Sequence, residues 1–324
     1  MIPKFLLFLS ILFNTFGFQG SSQNLDRQIV GNLAGEQNIA IAESAVIPLP
    51  AILTPPKVAK NAPTPNIYAE SYLLVDSDSG LVFLKKNETE KVPIASTTKI
   101  MTAIVVIENY NLDDVVTVSK EAANLPGTGD VTRTGEQLTV NTLLYNLLII
   151  SSNRSANALA EHINTAGESG TAKFVALMNK KAIELGMTDT DYHDPAGLDV
   201  TGYSTASDLV IITKYAMKNT LFAKIVGTAD MTTTDISGKI KHDLHNSNRL
   251  VSDWNYPGAI GVKTGYMPEA SHCLVVAVKR DGHTLISIVL HTTYDTATAS
   301  ADESKKLQDW GWNNIIWPTD NIKS

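Results

Sequence analysis

The pattern of apolar and polar positions divides the chain into an apolar N-terminal segment, a proline-rich stretch and a long folded region. Residues 5–13 form an apolar run behind Lys4, with the length of a secretory signal segment and less than the ~20 residues of a spanning helix. We expect residues 1–20 to be a signal peptide or an N-terminal anchor, so the remaining chain is exported. Prolines crowd the stretch from 48 to 65 and favour extended chain, which predicts a linker over 21–66.

The folded region, predicted over 67–318, has strands at both ends and helices between them. Short apolar runs bounded by turn residues predict strands at 72–75, 81–84, 115–118 and 260–265, and a hairpin of 274–278 with 285–290. Apolar residues at helical spacing predict helices from about 96, over 140–150, 156–163 and 173–185, from 204, and over 301–312. This order predicts a mixed α/β domain with a mainly antiparallel sheet.

Composition and charge narrow the classes of function. The chain is 44% apolar and 18% charged, as in a globular protein with a full core. A formal net charge of −7 without a Lys/Arg cluster argues against nucleic acid as a partner. The seven histidines lack metal-ligand spacing, so we expect no metal and no other cofactor. Cys273 is the single cysteine, which excludes an intrachain disulfide and predicts a buried thiol.

A first candidate for chemistry lies at the start of the helix near residue 96. Ser96 and Lys99 are three residues apart, so both side chains lie on one face of a helix. The helix continues with apolar residues, and burial lowers the pKa of a lysine, which makes it a base near neutral pH. Such a lysine can activate a serine nucleophile. The structural alternative is a capped helix whose Lys99 reaches solvent.

Two further polar clusters interrupt apolar elements. Ser151 and Asn153 follow a strongly apolar helix. They are either a polar junction between helices, or a hydroxyl that relays a proton and an amide that binds a substrate carbonyl. Lys263, Thr264 and Gly265 lie on a predicted strand. The structural alternative is that Lys263 is a charge on an edge strand. The functional alternative is that Lys263 binds a substrate carboxylate, Thr264 adds a hydroxyl donor, and Gly265 lets the substrate lie close to the strand. Each cluster alone favours its structural alternative, whereas the three in this order favour a shared active site.

With these three clusters, the sequence resembles the low-molecular-mass penicillin-binding proteins, which are serine-type D-alanyl-D-alanine carboxypeptidases. The resemblance extends from about 68 to 312 and includes further stretches, namely 93–95, 101–103, 135–137, 197–199, 203–206, 246–250 and 261–266. It implies a β-lactamase/transpeptidase-like fold, with helices flanking the sheet and an all-helical subdomain.

The resemblance also implies a mechanism on peptidoglycan stem peptides that end in D-Ala-D-Ala. Ser96 attacks the carbonyl of the penultimate D-Ala while Lys99 takes its proton. Ser151 passes a proton to the leaving amine, and water then hydrolyses the acyl-enzyme. β-Lactams mimic the substrate terminus and are expected to acylate Ser96 as covalent inhibitors.

Substrate binding falls to five positions by the same resemblance. The amide of Asn153 hydrogen-bonds the substrate backbone, and Lys263 and Thr264 bind the terminal carboxylate. Gly265 lets the substrate lie close to the strand. The backbone N–H groups of Tyr266 and Ser96 hold the oxyanion. These residues are Asn153, Lys263, Thr264, Gly265 and Tyr266. We expect an extracytoplasmic or periplasmic location. If residues 1–20 are an anchor instead of a signal peptide, the N-terminus is the only membrane attachment.

Three alternatives remain open at this point. Arg154, where family carboxypeptidases often carry an acid, resembles the D,D-endopeptidase branch, which cleaves peptidoglycan crosslinks; the short chain after Trp317 also fits that branch. A class A β-lactamase needs a glutamate between the second and third clusters, and Glu168 and Glu184 there lack the expected neighbours. A non-catalytic β-lactam or peptidoglycan sensor is the third alternative.

Overall fold

The structure, a computed structural model, describes residues 55–127, 132–163 and 170–318. None of the helices in these ranges is long and apolar enough to cross a membrane. In chain order the elements are β1 (Lys57–Val58), β2 (Ala69–Asp76), β3 (Val82–Lys86), a short 3-10 helix (Ala95–Thr98), α1 (Lys99–Asn109), β4 (Val115–Thr117), α2 (Lys120–Ala123), β5 (Gln137–Thr139), α3 (Val140–Ile149), α4 (Asn153–Glu161), α5 (Gly170–Leu185), α6 (Ala206–Ala216), α7 (Thr220–Val226), β6 (Asp230–Thr234), β7 (Lys241–His245), β8 (Ala259–Met267), β9 (Ser271–Arg280), β10 (His283–Thr292), α8 (Ala299–Asn314) and β11 (Ile315–Ile316).

The main sheet has five strands in the order β3-β2-β10-β9-β8, and each neighbouring pair is antiparallel. Its central hairpin is the one that the sequence predicts. Asp281 and Gly282 connect β9 to β10, and both have positive φ, as the tight turns that match the twist of a hairpin require. The third cluster of the sequence therefore lies on β8, at one edge of this sheet.

Both faces of the sheet are buried along β9 and β10, which explains the continuous apolar runs of these strands. Val275 and Ala277 on β9 belong to the larger core, shared with the helices α1, α3, α4 and α6. Leu274 and Val276 alternate with them and pack on the other face, where α8 covers β9 and β10. This arrangement confirms the predicted mixed α/β class, with an antiparallel sheet between helices.

The helical part of the molecule also carries two short two-stranded sheets, β4-β5 and β6-β7, which pack on α3 and α4. Of these four strands the sequence predicts β4 but not β5, β6 or β7, and it also misses α7. The strand β6 is almost entirely exposed, with Thr233 its one buried residue. A strand of this kind has no apolar alternation from which it could be recognised.

The folded domain begins earlier than the predicted position 67. The strand β1 pairs with β11, and the indole of Trp310 donates a hydrogen bond to the carbonyl of Pro63. Residues 57–66 therefore lie on the domain instead of in the linker, a correction that follows from pairing between the two ends of the domain. The predicted N-terminal segment 1–20 and the linker up to 54 lie outside the described residues.

Candidate active site

The nucleophile candidate lies where the 3-10 helix passes into α1. Ser96 is on the 3-10 helix, and Lys99 begins α1 one turn later. The ammonium nitrogen Nζ of Lys99 donates a hydrogen bond to Ser96 Oγ at 2.7 Å. Lys99 is fully buried. The one-face geometry predicted from the sequence is therefore present, whereas the alternative of a lysine that reaches solvent is not.

Two further acceptors fix the orientation of the Lys99 amine. Nζ donates to Asn153 Oδ1 at 2.7 Å and to the carbonyl of Ala196 at 2.6 Å. A neutral amine has two N–H donors and one lone pair. With both N–H groups on these acceptors, the lone pair of a neutral Lys99 is directed at Ser96. The geometry therefore suits proton transfer from the serine hydroxyl.

The carbonyl of Ala196 is held in place by its own loop. The Asp194 carboxylate accepts hydrogen bonds from the backbone N–H groups of the four residues 196–199, at 2.6 to 2.9 Å. Gly197 has a φ of +77°, and a Cβ there would lie 2.0 Å from the carbonyl oxygen of Ala95. This loop, for which the sequence predicts no chemical role, therefore positions the Lys99 amine.

The second cluster joins α3 to α4. Ser151 has a φ of 63°, a left-handed conformation that costs of order 1–3 kcal/mol and is often found at functional sites. Ser152, which follows it, is buried and caps α4, because its Oγ accepts a hydrogen bond from the N–H of Ser155 at 2.8 Å. In this junction, Ser152 therefore caps α4, whereas Ser151 has a strained backbone and lines the cavity.

Asn153 and Arg154 support the wall of the site opposite β8. The amide nitrogen of Asn153 donates to the carbonyl of Pro126 at 2.6 Å. The Arg154 guanidinium donates to the carbonyls of Thr132 at 2.8 Å and Leu125 at 3.4 Å. Arg154 therefore has a clear structural role in this wall, which does not depend on the choice between carboxypeptidase and endopeptidase.

The third cluster forms the opposite wall. Lys263 is 1% exposed, and its Nζ donates to the carbonyl of Thr264 at 3.0 Å. Burial and, secondarily, the charge of Lys99 hold the pKa of Lys263 well below its usual range. The hydroxyl of Thr264 makes a 2.7 Å hydrogen bond with that of Ser247. Two hydroxyls thus face the cavity, that of Thr264 from β8 and that of Ser247 from the segment after β7, with the buried Lys263 behind Thr264.

The last two predicted positions on β8 lie against the nucleophile. A Cβ on Gly265 would lie 3.0 Å from the carbonyl oxygen of Ile94 and 3.1 Å from the N–H nitrogen of Ser96. Glycine is therefore needed for this close approach of β8 to the 3-10 helix. Tyr266 is 52% exposed, and its ring packs on that of His272, 4.4 Å between centroids.

One cavity of about 390 Å³ unites the three clusters. Six of the eight predicted residues line it, while Lys99 and Lys263 lie buried behind its surface; the six are Ser96, Ser151, Asn153, Thr264, Gly265 and Tyr266. Ser247 and Arg249 also line it and were not predicted as site residues. Their signal was the stretch 246–250, which the resemblance includes without a role.

Other candidates for chemistry do not reach this cavity. Glu184 is on α5 and pairs with Lys181 at 3.1 Å, while Glu168 lies outside the described residues. Across the described ranges, His, Cys, Asp and Glu side chains form no group of three that could hold a metal ion. Cys273 is buried as predicted, and burial raises the pKa of its thiol to about 12. The Ser96 cavity is therefore the candidate active site.

A serine-lysine pair, a Ser-x-Asn junction and a Lys-Thr-Gly strand at one cavity define a serine acyl-transfer enzyme of the penicillin-binding type. Comparison with known proteins agrees with this class. Residues 57–293 match the family model of peptidase S11, described as D-alanyl-D-alanine carboxypeptidase. The match covers more than half of the chain, and the protein belongs to this family.

Individual relatives come from both activities named within the family. D-alanyl-D-alanine carboxypeptidase DacF of Bacillus subtilis is 37% identical over 227 residues, which cover 68% of this chain but only 57% of DacF. D-alanyl-D-alanine endopeptidase of Pseudomonas aeruginosa is 32% identical over 244 residues, which cover 74% of this chain and 76% of that protein. The crystal structure of the Streptomyces K15 DD-transpeptidase superposes with a TM-score of 0.71 at 33% identity, covering 78% of this chain and 99% of that one.

Proposed function

We propose that the protein is a serine D,D-carboxypeptidase that removes the terminal D-Ala from peptidoglycan stem pentapeptides. The observation that carries the proposal is the 2.7 Å hydrogen bond between Ser96 and the buried Lys99, in a cavity whose opposite wall presents Thr264. Membership of the S11 family supports the substrate class. The active location of the protein is then extracytoplasmic, where peptidoglycan lies.

Acylation begins at Ser96. Lys99 takes the hydroxyl proton, and Ser96 Oγ forms a bond with the carbonyl carbon of the penultimate D-Ala. The negative charge that develops on the carbonyl oxygen is stabilised by the backbone N–H groups of Ser96 and Tyr266. One such donor typically contributes ~3 kcal/mol to lowering the barrier. The close approach of β8 at Gly265 is compatible with these two donors meeting one oxygen.

The leaving group departs as free D-Ala. The peptide C–N bond breaks, and the leaving nitrogen receives a proton through Ser151, whose strained position lies on the cavity wall. The amide of Asn153 orients the substrate backbone and also the base, since its Oδ1 accepts from Lys99. Water then hydrolyses the ester on Ser96, which releases the shortened stem peptide and restores the serine.

The terminal carboxylate binds at β8. Thr264 contributes its hydroxyl, and Gly265 allows the substrate to lie against the strand. Lys263 supports Thr264 from behind the strand, since its Nζ donates to the carbonyl of Thr264 at 3.0 Å and to its hydroxyl at 3.4 Å. β-Lactams carry a carboxylate next to a reactive amide, so the same groups would present them to Ser96. The resulting acyl-enzyme would inhibit the protein.

A second candidate function is D,D-endopeptidase cleavage of peptidoglycan crosslinks. The Pseudomonas aeruginosa relative that bears this name supports it. The chemistry at Ser96 is the same for both reactions, and they differ in the leaving group. The endopeptidase leaving group is an amino acid of a second stem peptide, whereas the carboxypeptidase leaving group is D-Ala.

Mass spectrometry of muropeptides separates the two candidates. The protein is incubated with a pentapeptide monomer and with a crosslinked dimer, and the Ser96→Ala variant is the matched control. We expect loss of one alanine from the monomer with the wild type and none with the variant. Conversion of the dimer to monomers with the pentapeptide untouched would replace the proposal by the endopeptidase function. No reaction on either substrate, with Ser96 still acylated by penicillin, would favour a sensor.

A further inference from the structure

The loop that holds the Lys99 amine is closed by a side chain that the mechanism above does not use. Asp191 and Tyr203 exchange backbone hydrogen bonds at 2.9 and 3.0 Å, and this pair forms the neck of the segment 192–202. The carbonyl of Ala196, which accepts from Lys99 Nζ at 2.6 Å, lies within this segment. A shift of the segment against its neck therefore moves an acceptor of the Lys99 amine.

The side chain of His193 crosses this neck. Its Nε2 lies 3.0 Å from Asp191 Oδ2, and its Nδ1 lies 2.7 Å from the hydroxyl oxygen of Thr201. The Thr201 hydroxyl in turn donates to Asp199 Oδ1 at 2.5 Å. The imidazole therefore connects the residues before the loop 194–199 with the residues after it.

The hydrogen-bond partners of His193 require both of its ring nitrogens to donate. An ionised carboxylate such as that of Asp191 only accepts, so Nε2 must carry a proton. The hydroxyl of Thr201 has one proton and gives it to Asp199, so it can only accept from Nδ1. An imidazole with protons on both nitrogens is the charged imidazolium. The complete set of contacts across the neck therefore forms with charged His193.

The charged groups around His193 are mainly carboxylates. Two cavities flank the ring, and α5 and the segment 94–98 contribute only uncharged side chains to their lining. Lys91 stacks on the ring of Tyr203, with Nζ 5.1 Å from the centroid, and pairs with Asp189 at 3.2 Å. The titratable residues that line the two cavities beside His193 are Asp191, Asp194, Asp199, Tyr192 and Tyr203.

We propose that His193 is a positioning residue for acylation, whose imidazolium ties the two ends of the segment 192–202 and so keeps the Ala196 carbonyl on the Lys99 amine. This inference rests on the proposed function and extends it, because it adds a charged group outside the three sequence clusters to the orientation of the base. His193 does not line the active-site cavity. It therefore acts on the rate of proton transfer from Ser96 and not on the binding of substrate.

Rapid-mixing kinetics with a penicillin test the inference, because they separate the dissociation constant of the initial complex from the first-order rate constant of acylation. We expect His193→Ala to lower the rate constant by about 3- to 30-fold, with the dissociation constant changed by less than about 2-fold. Thr201→Val removes the acceptor of Nδ1 and is expected to show the same pattern. Thr201→Ser keeps the hydroxyl and is expected to retain the wild-type rate constant.

The pH profile distinguishes positioning by the imidazolium from a merely structural role of the side chain. The His193 side chain is 34% exposed, so it exchanges protons with solvent. The ratio of the wild-type rate constant to that of His193→Ala cancels the pH dependence that both proteins share. We expect this ratio to be largest near about pH 5.5 and to decrease towards about pH 9, because a neutral imidazole cannot donate from both nitrogens.

The matched control is His162→Ala, which removes another partly exposed histidine beside an aspartate, with Nε2 3.7 Å from Asp114 Oδ2. It should acylate at the wild-type rate. An unchanged rate constant in His193→Ala, a change in the dissociation constant alone, or a ratio that is constant with pH would overturn the inference. If His193→Ala does not fold, equal rate constants in Thr201→Val and Thr201→Ser would overturn it. A wild-type protein that penicillin does not acylate would overturn the proposed function itself, and the His193 assignment with it.

Discussion

Lys263 has an amino group in a place that water does not reach. The buried position costs free energy of folding while the side chain is charged, and this cost is reflected in the lowered pKa. Lys99 is equally buried but donates to Ser96, Asn153 and Ala196. At the residue scale, the burial of two lysine amino groups in one site lowers stability, which we interpret as a requirement of the proposed function.

The pH dependence of stability tests this interpretation. Between the lowered folded-state pKa and the ordinary value of 10.5, the unfolded chain binds more protons at Lys263 than the folded one does. The free energy of unfolding therefore rises with pH across that window. We expect Lys263→Met to be more stable than the wild type by about 1–3 kcal/mol near pH 7 and to lose activity. The difference in stability should shrink towards pH 10.5.

Denaturant unfolding of both proteins at several pH values provides the measurement. A difference that is constant with pH would mean that Lys263 has an ordinary pKa in the folded protein. Lower stability of Lys263→Met at every pH would mean that packing and the bond to Thr264 outweigh the burial of charge.

The sequence could predict most of the residues that meet at the candidate site but not their contacts. Ser96, Ser151 and Thr264 lie in clusters that interrupt apolar runs, so they were recognisable. The partners that orient them come from distant parts of the chain, such as Ala196 and Ser247. A contact between residues 97 positions apart, as for Lys99 and Ala196, leaves no local pattern.

At the scale of elements, the site depends on how closely β8 approaches the 3-10 helix. The contact is between backbones, since a Cβ on Gly265 would meet the carbonyl of Ile94 and the N–H of Ser96. The sequence predicts β8 and a helix from about 96, because β8 and the residues of α1 carry clear apolar patterns. Their separation could not be predicted, because only the docked backbones define it.

Gly265→Ala is expected to impair acylation more than folding. The added methyl group must move β8 or the 3-10 helix, and small displacements of reacting groups can lower rates by about 10- to 100-fold. We predict a fall of this size in the rate of acylation by penicillin, with a loss of about 1–3 kcal/mol in stability. Rapid-mixing kinetics and denaturant unfolding measure the two effects.

The control is Gly202→Ala, where the nearest atom to an added Cβ is the carbonyl oxygen of Asp191 at 3.4 Å. That variant should acylate at the wild-type rate. Wild-type acylation in Gly265→Ala would show that the close approach is not required for the geometry of Ser96.

At the scale of the whole molecule, the two ends of the domain are joined. The strand β1 pairs with β11, and Pro63 accepts a hydrogen bond from the buried Trp310 on α8. The strand has two residues and lies in a proline-rich stretch, so the sequence predicted a linker there. The central sheet was predictable because its strands are long and apolar, whereas this closure depends on residues more than 200 positions apart.

A truncation series tests the position of the domain boundary. We compare a chain that begins at Pro55 with one that begins at Ile67. The shorter chain loses β1 and leaves the indole N–H of Trp310 without its carbonyl partner, so we expect it to be less stable by at least about 1–3 kcal/mol. Thermal and denaturant unfolding measure the difference, and equal stability would return residues 57–66 to the linker.

Ser96 is the proposed nucleophile, and intact-protein mass spectrometry with penicillin tests this role most directly. We predict one covalent adduct per wild-type chain, located by proteolysis on the peptide that contains Ser96, and no adduct on the Ser96→Ala variant. An adduct that persists on Ser96→Ala, or one located on another serine such as Ser151, would place the nucleophile at another residue.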